Sequence, residues 1–225
     1  MIYAVIPVKH KSERVKNKNF RPFIDNKSIL DIKIEQLLKL KFLKKIFISS
    51  NKKSLSIYNS PKIQLISRAN KFCNNKISWS EMISHVIESL PIKMNDLVLW
   101  CHTTSPLFDN FEKAINEFML KEKKGYDSLV TTTRYNGFLL DQNLNPLNYQ
   151  WGKWHKYSQF LKSKFYSVNG ALFIARKKTF LKYDYVIGSN PTNFICTEKE
   201  SIDIDNDIDF KYAQFLLKNA KKKLS

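Results

Sequence analysis

Short apolar runs alternate with amphipathic segments through the first 135 residues, and this alternation limits the possible folds more than any other feature of the chain. Residues 2–7, 46–48, 63–66, 96–101 and 128–132 are apolar stretches of strand length, bounded by polar or turn-forming residues. Such runs are the mark of strands buried on both faces. Between them, 28–40, 79–90 and 111–121 carry helical spacing; in the first, Ile29, Ile32, Ile34, Leu37, Leu38 and Leu40 supply one apolar face. Strands alternating with helices predict an α/β fold with a mainly parallel sheet covered on both sides. A chain of 225 residues fills one core well and two poorly. Ligands of such sheets lie beyond the carboxyl ends of the strands, which directs attention to Val8, Ser49, His102 and Asp203.

The stretch Glu200-Ser201-Ile202-Asp203-Ile204-Asp205-Asn206-Asp207-Ile208-Asp209 carries the clearest chemistry. In extended backbone, Ile202 and Ile204 share one face and Asp203 and Asp205 the other. Two carboxylates held that close repel unless a cation lies between them, and hard oxygen donors of this kind suit Mg²⁺, which leaves its other positions to water and phosphate oxygens. Asn206 reads as the N-cap of a last helix. Asp207 and Asp209 fall in its first turn, where negative charge complements the dipole, so they need no further role.

The loop after the first strand is the second such element. Lys9, Lys11, Arg14, Lys16 and Lys18, with Ser12, put positive charge and donors where a polyphosphate could lie. It contains no glycine and is not a Walker loop; the plain alternative is a solvated basic loop. The net charge of +18 is spread as lysine over the whole chain, with a dense run only at 218–223, and no nucleic-acid-binding motif accompanies it. Cys73, Cys101 and Cys196 show no paired or zinc-binding spacing. No apolar run approaches the ~20 residues of a membrane helix, and the cytoplasm is the default location. Segment 135–164, with Asn136-Gly137, Asn145-Pro146 and Trp151-Gly152, breaks the alternation and reads as an excursion, either a dimer arm or an acceptor lid. Trp151 and Trp154 either pack there or mark an interface. His85 and His155 read as packing or surface residues. His102 is open between a base or donor toward a ligand and a structural role.

Several of these segments, taken in order, resemble the acylneuraminate (sialic acid) and Kdo cytidylyltransferases. That family opens with a strand, Pro-Ala-Arg, a small serine-containing loop and a lysine or Lys-Asn pair. Here Pro7-Val8-Lys9, Ser12, Arg14 and Lys18-Asn19-Phe20-Arg21-Pro22 follow the same order. Arg68 resembles the arginine after the third strand, and Ser78 and Ser80 lie near the family's cytosine-contacting serine. Thr104-Ser105-Pro106-Leu107 resembles Pro-Thr-Ser-Pro-Leu-Arg, Asn169-Gly170-Ala171 resembles Asn-Gly-Ala, and Ser201 to Asp209 resembles the closing motif. The chain departs from the pattern at Lys9, His10, Lys11 and Lys16, and at His102, Thr103, Phe108 and Phe173, where the family has Gln, Pro, Arg and Tyr.

The resemblance implies a single Rossmann-like nucleotide-diphospho-sugar transferase domain, with segment 135–164 as its excursion. It implies transfer of CMP from CTP to a sugar acid and a homodimer. On this reading Lys9, Ser12, Arg14, Lys18, Asn19, Arg68 and Ser78 or Ser80 hold the nucleotide. Asp203 and Asp205 hold Mg²⁺ and, with Lys18, carry the catalysis. His102, Thr104, Asn169 and Phe173 line the acceptor pocket.

Overall fold

The computed structural model describes residues 1–12, 14–52, 60–74, 76–161 and 165–222. Its centre is strand β1 (Ile2–Val8), flanked in parallel by β2 (Lys45–Ser50) and β4 (Leu97–Cys101). Strand β3 (Ile63–Ser67) extends the sheet beyond β2, and β6 (Tyr166–Arg176), β5 (Ser128–Arg134) and β7 (Pro191–Ile195) extend it beyond β4, in the order β3-β2-β1-β4-β6-β5-β7. All pairings are parallel except those of β6, which runs antiparallel to both β4 and β5.

Alternation along the strands sorts side chains between two cores. Ala4, Ile6 and Val8 of β1, with Leu99 of β4, face helices α1 (Ile29–Leu38) and α3 (Phe111–Glu122). Tyr3 and Val5, with Val98 and Trp100, face α2 (Trp79–Glu88) and α4 (Lys177–Tyr183). Capping boxes start the first two helices: the Ser28 hydroxyl accepts from Asp31 N–H, and that of Ser78 from Glu81 N–H. Ser78, and not Ser80, is therefore the cap of α2.

A third core joins α5 (Asp207–Lys222) to the basic loop and α1 through Val15, Phe23, Ile29, Ile32, Leu107, Ile204, Phe210 and Ala213. Asn206 caps α5, its side chain accepting from Asp209 N–H at 2.9 Å while Asp209 accepts from Asn206 N–H at 3.0 Å. The basic run at the end of α5 extends past the described residues at 223.

Segment 135–164 does leave the sheet. It contains a single bridge between Leu140 and Pro146 and short 3₁₀ turns at Gly152–Trp154 and Ser158–Phe160, with residues 162–164 outside the described residues. Phe138 packs on Tyr149 and His155, whereas Trp151 and Trp154 remain exposed. Two elements, α4 and β7, have no counterpart in the sequence reading. The first is only seven residues long, and the second is an edge strand with a weak apolar pattern.

Phe108, which stands where the resemblance places an arginine, is fully buried, edge-on to Phe111 at 5.0 Å and to Phe194 at 6.1 Å. It is a core residue. Phe108→Ala is expected to lower the unfolding free energy by about 3–5 kcal/mol, the usual cost of emptying such a site, as read by denaturant titration.

Candidate active site

Three segments converge beyond the carboxyl ends of β1 and β4. The first is the basic loop. Without a glycine it turns through Asn17 in the left-handed region (φ 53°), an arrangement asparagine tolerates. Ser12 folds it back, donating to Val15 O at 2.5 Å and accepting from Lys18 N–H at 2.8 Å. Asn19, buried, donates to Lys9 O at 3.2 Å and accepts from the Thr103 hydroxyl at 2.7 Å. Ser12 and Asn19 thus shape the loop and tie it to the sheet.

The second segment is 202–205. It lies between β7 and α5 and belongs to no strand of the sheet. It is held instead by Ile204, whose N–H donates to Thr104 O at 2.8 Å and whose carbonyl accepts from Lys18 Nζ at 2.6 Å. Ile204 is fully buried, while Asp203 and Asp205 are exposed, as the alternation requires. Arg14 reaches Asp205 at 2.9 Å. Crowding by the cleft wall pushes the Asp203 carboxyl up, against a hydrogen bond from Thr104 that lowers it, and the neighbouring Asp205 raises it further. Partial burial pushes the Lys18 ammonium down, against the pull of Asp203 and Asp205. The Asp203 carboxyl is thus held up chiefly by burial, while Arg14 is paired with its neighbour Asp205. Among the described residues no group of three or more His, Cys, Asp or Glu gathers. A two-carboxylate donor set fits Mg²⁺ completed by water and phosphate oxygens.

The third segment, 102–105, follows β4. Lys9, Lys11, Ser12, Arg14, Lys18, Asn19, Cys73, His102, Thr103 and Thr104 line a cleft of about 290 Å³. Pro7, Lys9 and His102 also border a second cavity, of about 400 Å³, walled by Arg68, Phe72, Asn74, Ile77, Ser78, Trp79 and Met82. The first is cationic and the second largely apolar and aromatic, so the pair suits a ligand with a charged tail and a flat head. Arg68 is buried there, donating to Val8 O at 2.9 Å and to Cys73 Sγ at 3.1 Å. A roomier cavity of about 480 Å³ lies in the excursion, but among the described residues Lys156 is the only charged one lining it.

The chain and its fold can be matched to known proteins. A family profile for cytidylyltransferases matches residues 3–220. The chain belongs to the cytidylyltransferase family. It is 28% identical over 220 residues to the N-acylneuraminate cytidylyltransferase of Escherichia coli O18:K1:H7 (strain RS218 / NMEC), a match covering 94% of this chain and 51% of that protein. It thus spans about half the length of that curated relative. A stretch of 62 residues is 37% identical to the CMP-N,N'-diacetyllegionaminic acid synthase of Campylobacter jejuni, covering 27% of this chain and 26% of that one.

Two solved cytidylyltransferase-fold structures superpose over nearly the whole chain. The 2-C-methyl-D-erythritol 4-phosphate cytidylyltransferase of Francisella tularensis does so with a TM-score of 0.66 at 14% identity, covering 95% of this chain and 98% of that one. The CMP:2-keto-3-deoxy-manno-octonic acid synthetase complexed with CTP gives 0.65 at 9% identity, covering 97% and 99%. At such identities the likeness is one of fold.

Within this cytidylyltransferase chain, several residues predicted for the acceptor side take other places. Phe173 is buried in the core against Trp79 and His102. Its side chain is on the α2 face of β6, where the alternation puts it. Asn169 is buried too, donating to the Thr133 hydroxyl and accepting from Ala171 N–H, both at 3.2 Å, beside the register shift between β5 and β6. Gly170 follows with φ +70°, and a Cβ there would stand 3.3 Å from His102 Nδ1. The Asn-Gly-Ala motif is therefore a device that kinks β6 around His102. Thr104 does line the cleft; of the two serines, Ser78 borders the second cavity and Ser80 is not part of its lining. Sequence reasoning missed Phe72, Ile77, Trp79 and Met82: periodicity marks Trp79 and Met82 as residues of a helix and says nothing of a cavity beside them, and Phe72 and Ile77 lie in the irregular stretch before that helix.

His102 is settled by its partners. Trp100 Nε1–H donates to its Nε2 at 2.9 Å, so in the neutral ring Nδ1 carries the proton, and it is turned to the Gly170 backbone. Burial pushes its pKa down to about 4, and the charges of Lys33 and Lys18 push the same way. With its lone pair taken by an indole, the imidazole is a structural group and not a base. Its folded pKa lies below the ordinary 6.5, so the stability it contributes is present above that value and is lost as pH falls toward 4. A ¹⁵N NMR titration is expected to show the His102 imidazole still neutral at pH 5.5; a charged ring at that pH would contradict this assignment.

Proposed function

We propose that the chain transfers CMP from CTP to the hydroxyl of a sugar acid of the acylneuraminate or another nonulosonic class, in the cytoplasm and as a homodimer. The observation that carries this reading is the meeting of Lys18, Arg14, Asp203 and Asp205 around one buried residue, Ile204, in a chain of the cytidylyltransferase family. The sugar-acid relatives, matched over 94% and 27% of the chain, support the acceptor class.

Lys9, Arg14 and Lys18 hold the triphosphate in the cationic cleft, and the cytosine ring lies in the aromatic cavity beside Arg68 and Ser78. The acceptor hydroxyl attacks the α-phosphorus and gives up its proton to solvent, the bond from that phosphorus to the bridging oxygen breaks, and pyrophosphate leaves with the added charge. Lys18 and Arg14 face the oxygens on which that charge grows. Asp203 and Asp205 hold Mg²⁺, whose chemistry there is to neutralise phosphate charge and align the reacting oxygens. The exposed Trp151, Trp154, Tyr157 and Phe160 of the excursion support the homodimer, since grouped exposed aromatics mark contact surfaces.

The reading is tested by pyrophosphate release from each of the four nucleotides against N-acetylneuraminate, legionaminic-type acids, Kdo and a phosphorylated alcohol. CTP with a sugar acid should give the highest kcat/KM, and Asp203→Asn should lose Mg²⁺-dependent turnover while its circular dichroism is unchanged. Highest activity on the phosphorylated alcohol would shift the acceptor class, and near-parental turnover in Asp203→Asn would remove the metal assignment.

Lys18 is assigned to the outer phosphates. Calorimetry of Lys18→Ala should therefore show CTP binding weakened by at least ~10-fold, the loss of one charge-assisted contact, with CMP binding much less affected. Equal losses for the two nucleotides would place the lysine elsewhere.

A further inference from the structure

Outside the cleft, the least ordinary side chain is Lys33. It lies on α1 and is fully buried, its ammonium 4.9 Å from the centre of the Phe111 ring. Nζ donates to Ser105 O at 3.0 Å and to Phe108 O at 3.3 Å. Gln36, nearly one turn further along and also buried, donates to Pro106 O at 2.9 Å. Three carbonyls of the loop that follows β4 are thereby tied to one face of one helix. Burial pushes the Lys33 ammonium down to about 8, so carrying its charge there works against the fold. An apolar side chain of the same volume would avoid that cost but would leave the Ser105 and Phe108 carbonyls without this donor. What the lysine gives here is a fixed place for that backbone.

The loop it grips is the joint of the site. Thr103 holds Asn19 of the basic loop at 2.7 Å. Thr104 accepts Ile204 N–H at 2.8 Å, and its side chain is bonded to Asp203. A shift of the loop would move the basic and acidic segments relative to each other. Misplacement of that kind, by about 1 Å, is enough to lower rates by orders of magnitude.

We propose that Lys33, with Gln36 beside it, is a positioning residue: it holds the 103–108 loop where Thr104 sets Asp203 and Ile204 against Lys18. The catalytic consequence rests on the cytidylyl-transfer reading; the structural one does not, and the test separates them.

Hydrogen exchange is compared in the parent, Lys33→Met, Lys33→Gln and Gln36→Leu, alongside CTP affinity and turnover. In Lys33→Met, Ile204 N–H is expected to exchange at least ~10-fold faster while Val5 and Phe47, in the central strands, keep their protection, a local opening and not a global one. Turnover should fall by at least ~10-fold with CTP affinity within ~3-fold, the pattern of a lost transition-state arrangement. Lys33→Gln, which keeps a donor, should recover part of both, and Gln36→Leu should show the same selective loosening at smaller amplitude. Unchanged exchange at Ile204 would overturn the proposal whatever the activity. So would a uniform loss of protection, or failure of all three variants to fold, since each assigns the pair to core stability alone. If the parent itself shows no CTP turnover, the cytidylyl-transfer reading fails and the Ile204 exchange still decides the strap.

Discussion

The site depends on the two backbone hydrogen bonds of Ile204. Its side chain is locked in the third core, its N–H belongs to the loop after β4, and its carbonyl belongs to Lys18. A buried peptide group must find partners or lose its full desolvation energy. Here both partners come from segments distant in sequence, 186 residues away in the case of Lys18. Satisfying one peptide therefore brings the basic loop, the acidic segment and the β4 loop together. The carboxylates on either side of Ile204 are placed as a consequence: once the isoleucine points inward, its neighbours turn outward, Asp205 onto Arg14 at the cleft's edge.

Charge in this cleft is arranged and not merely abundant. A net charge of +18 would by itself crowd lysines everywhere, yet the two carboxylates sit directly among the cations that would otherwise repel one another. The Arg14–Asp205 pair is exposed on both sides and adds little to stability; its significance is in holding opposite charges close at the place where phosphates would compete for the arginine. Beside this polar cleft the apolar cavity under Trp79 and Phe72 shares Pro7, Lys9 and His102 with it. With His102 neutral and held between an indole and β6, the charge of the shared wall is that of Lys9.

Buried polar groups recur beneath the site: Lys33 and Gln36 under the β4 loop, Arg68 under the end of β1, Asn169 in the β6 kink. Each donates to a carbonyl or hydroxyl that strand or helix geometry leaves unpaired. Irregular backbone around a binding cleft needs such partners, because water cannot reach it.

Much of this was legible in the sequence. Apolar runs of strand length alternating with helical periods determined the layered sheet, since a strand buried on both faces has no other composition. The alternation of Ile202 and Ile204 with Asp203 and Asp205 determined which faces they take, and Asn206 announced its helix by side-chain chemistry that acts within three residues. What sequence could not decide was exposure at long range. Phe108 and Phe173 stand at positions that the family resemblance assigns to the acceptor side, but the packing of α2, α3 and β7 against the sheet buries them. Both serines near α2 could cap it, and only the helix start separates Ser78 from Ser80. The role of His102 turned on a Trp100 two residues before it and on a Gly170 on another strand. The use of Lys33 turned on two carbonyls, 72 and 75 residues away. Local propensity and periodicity act over a few residues and can be read in order; burial, hydrogen-bond partnership and pKa depend on which distant segments come to rest beside a group, and only the tertiary structure supplies those.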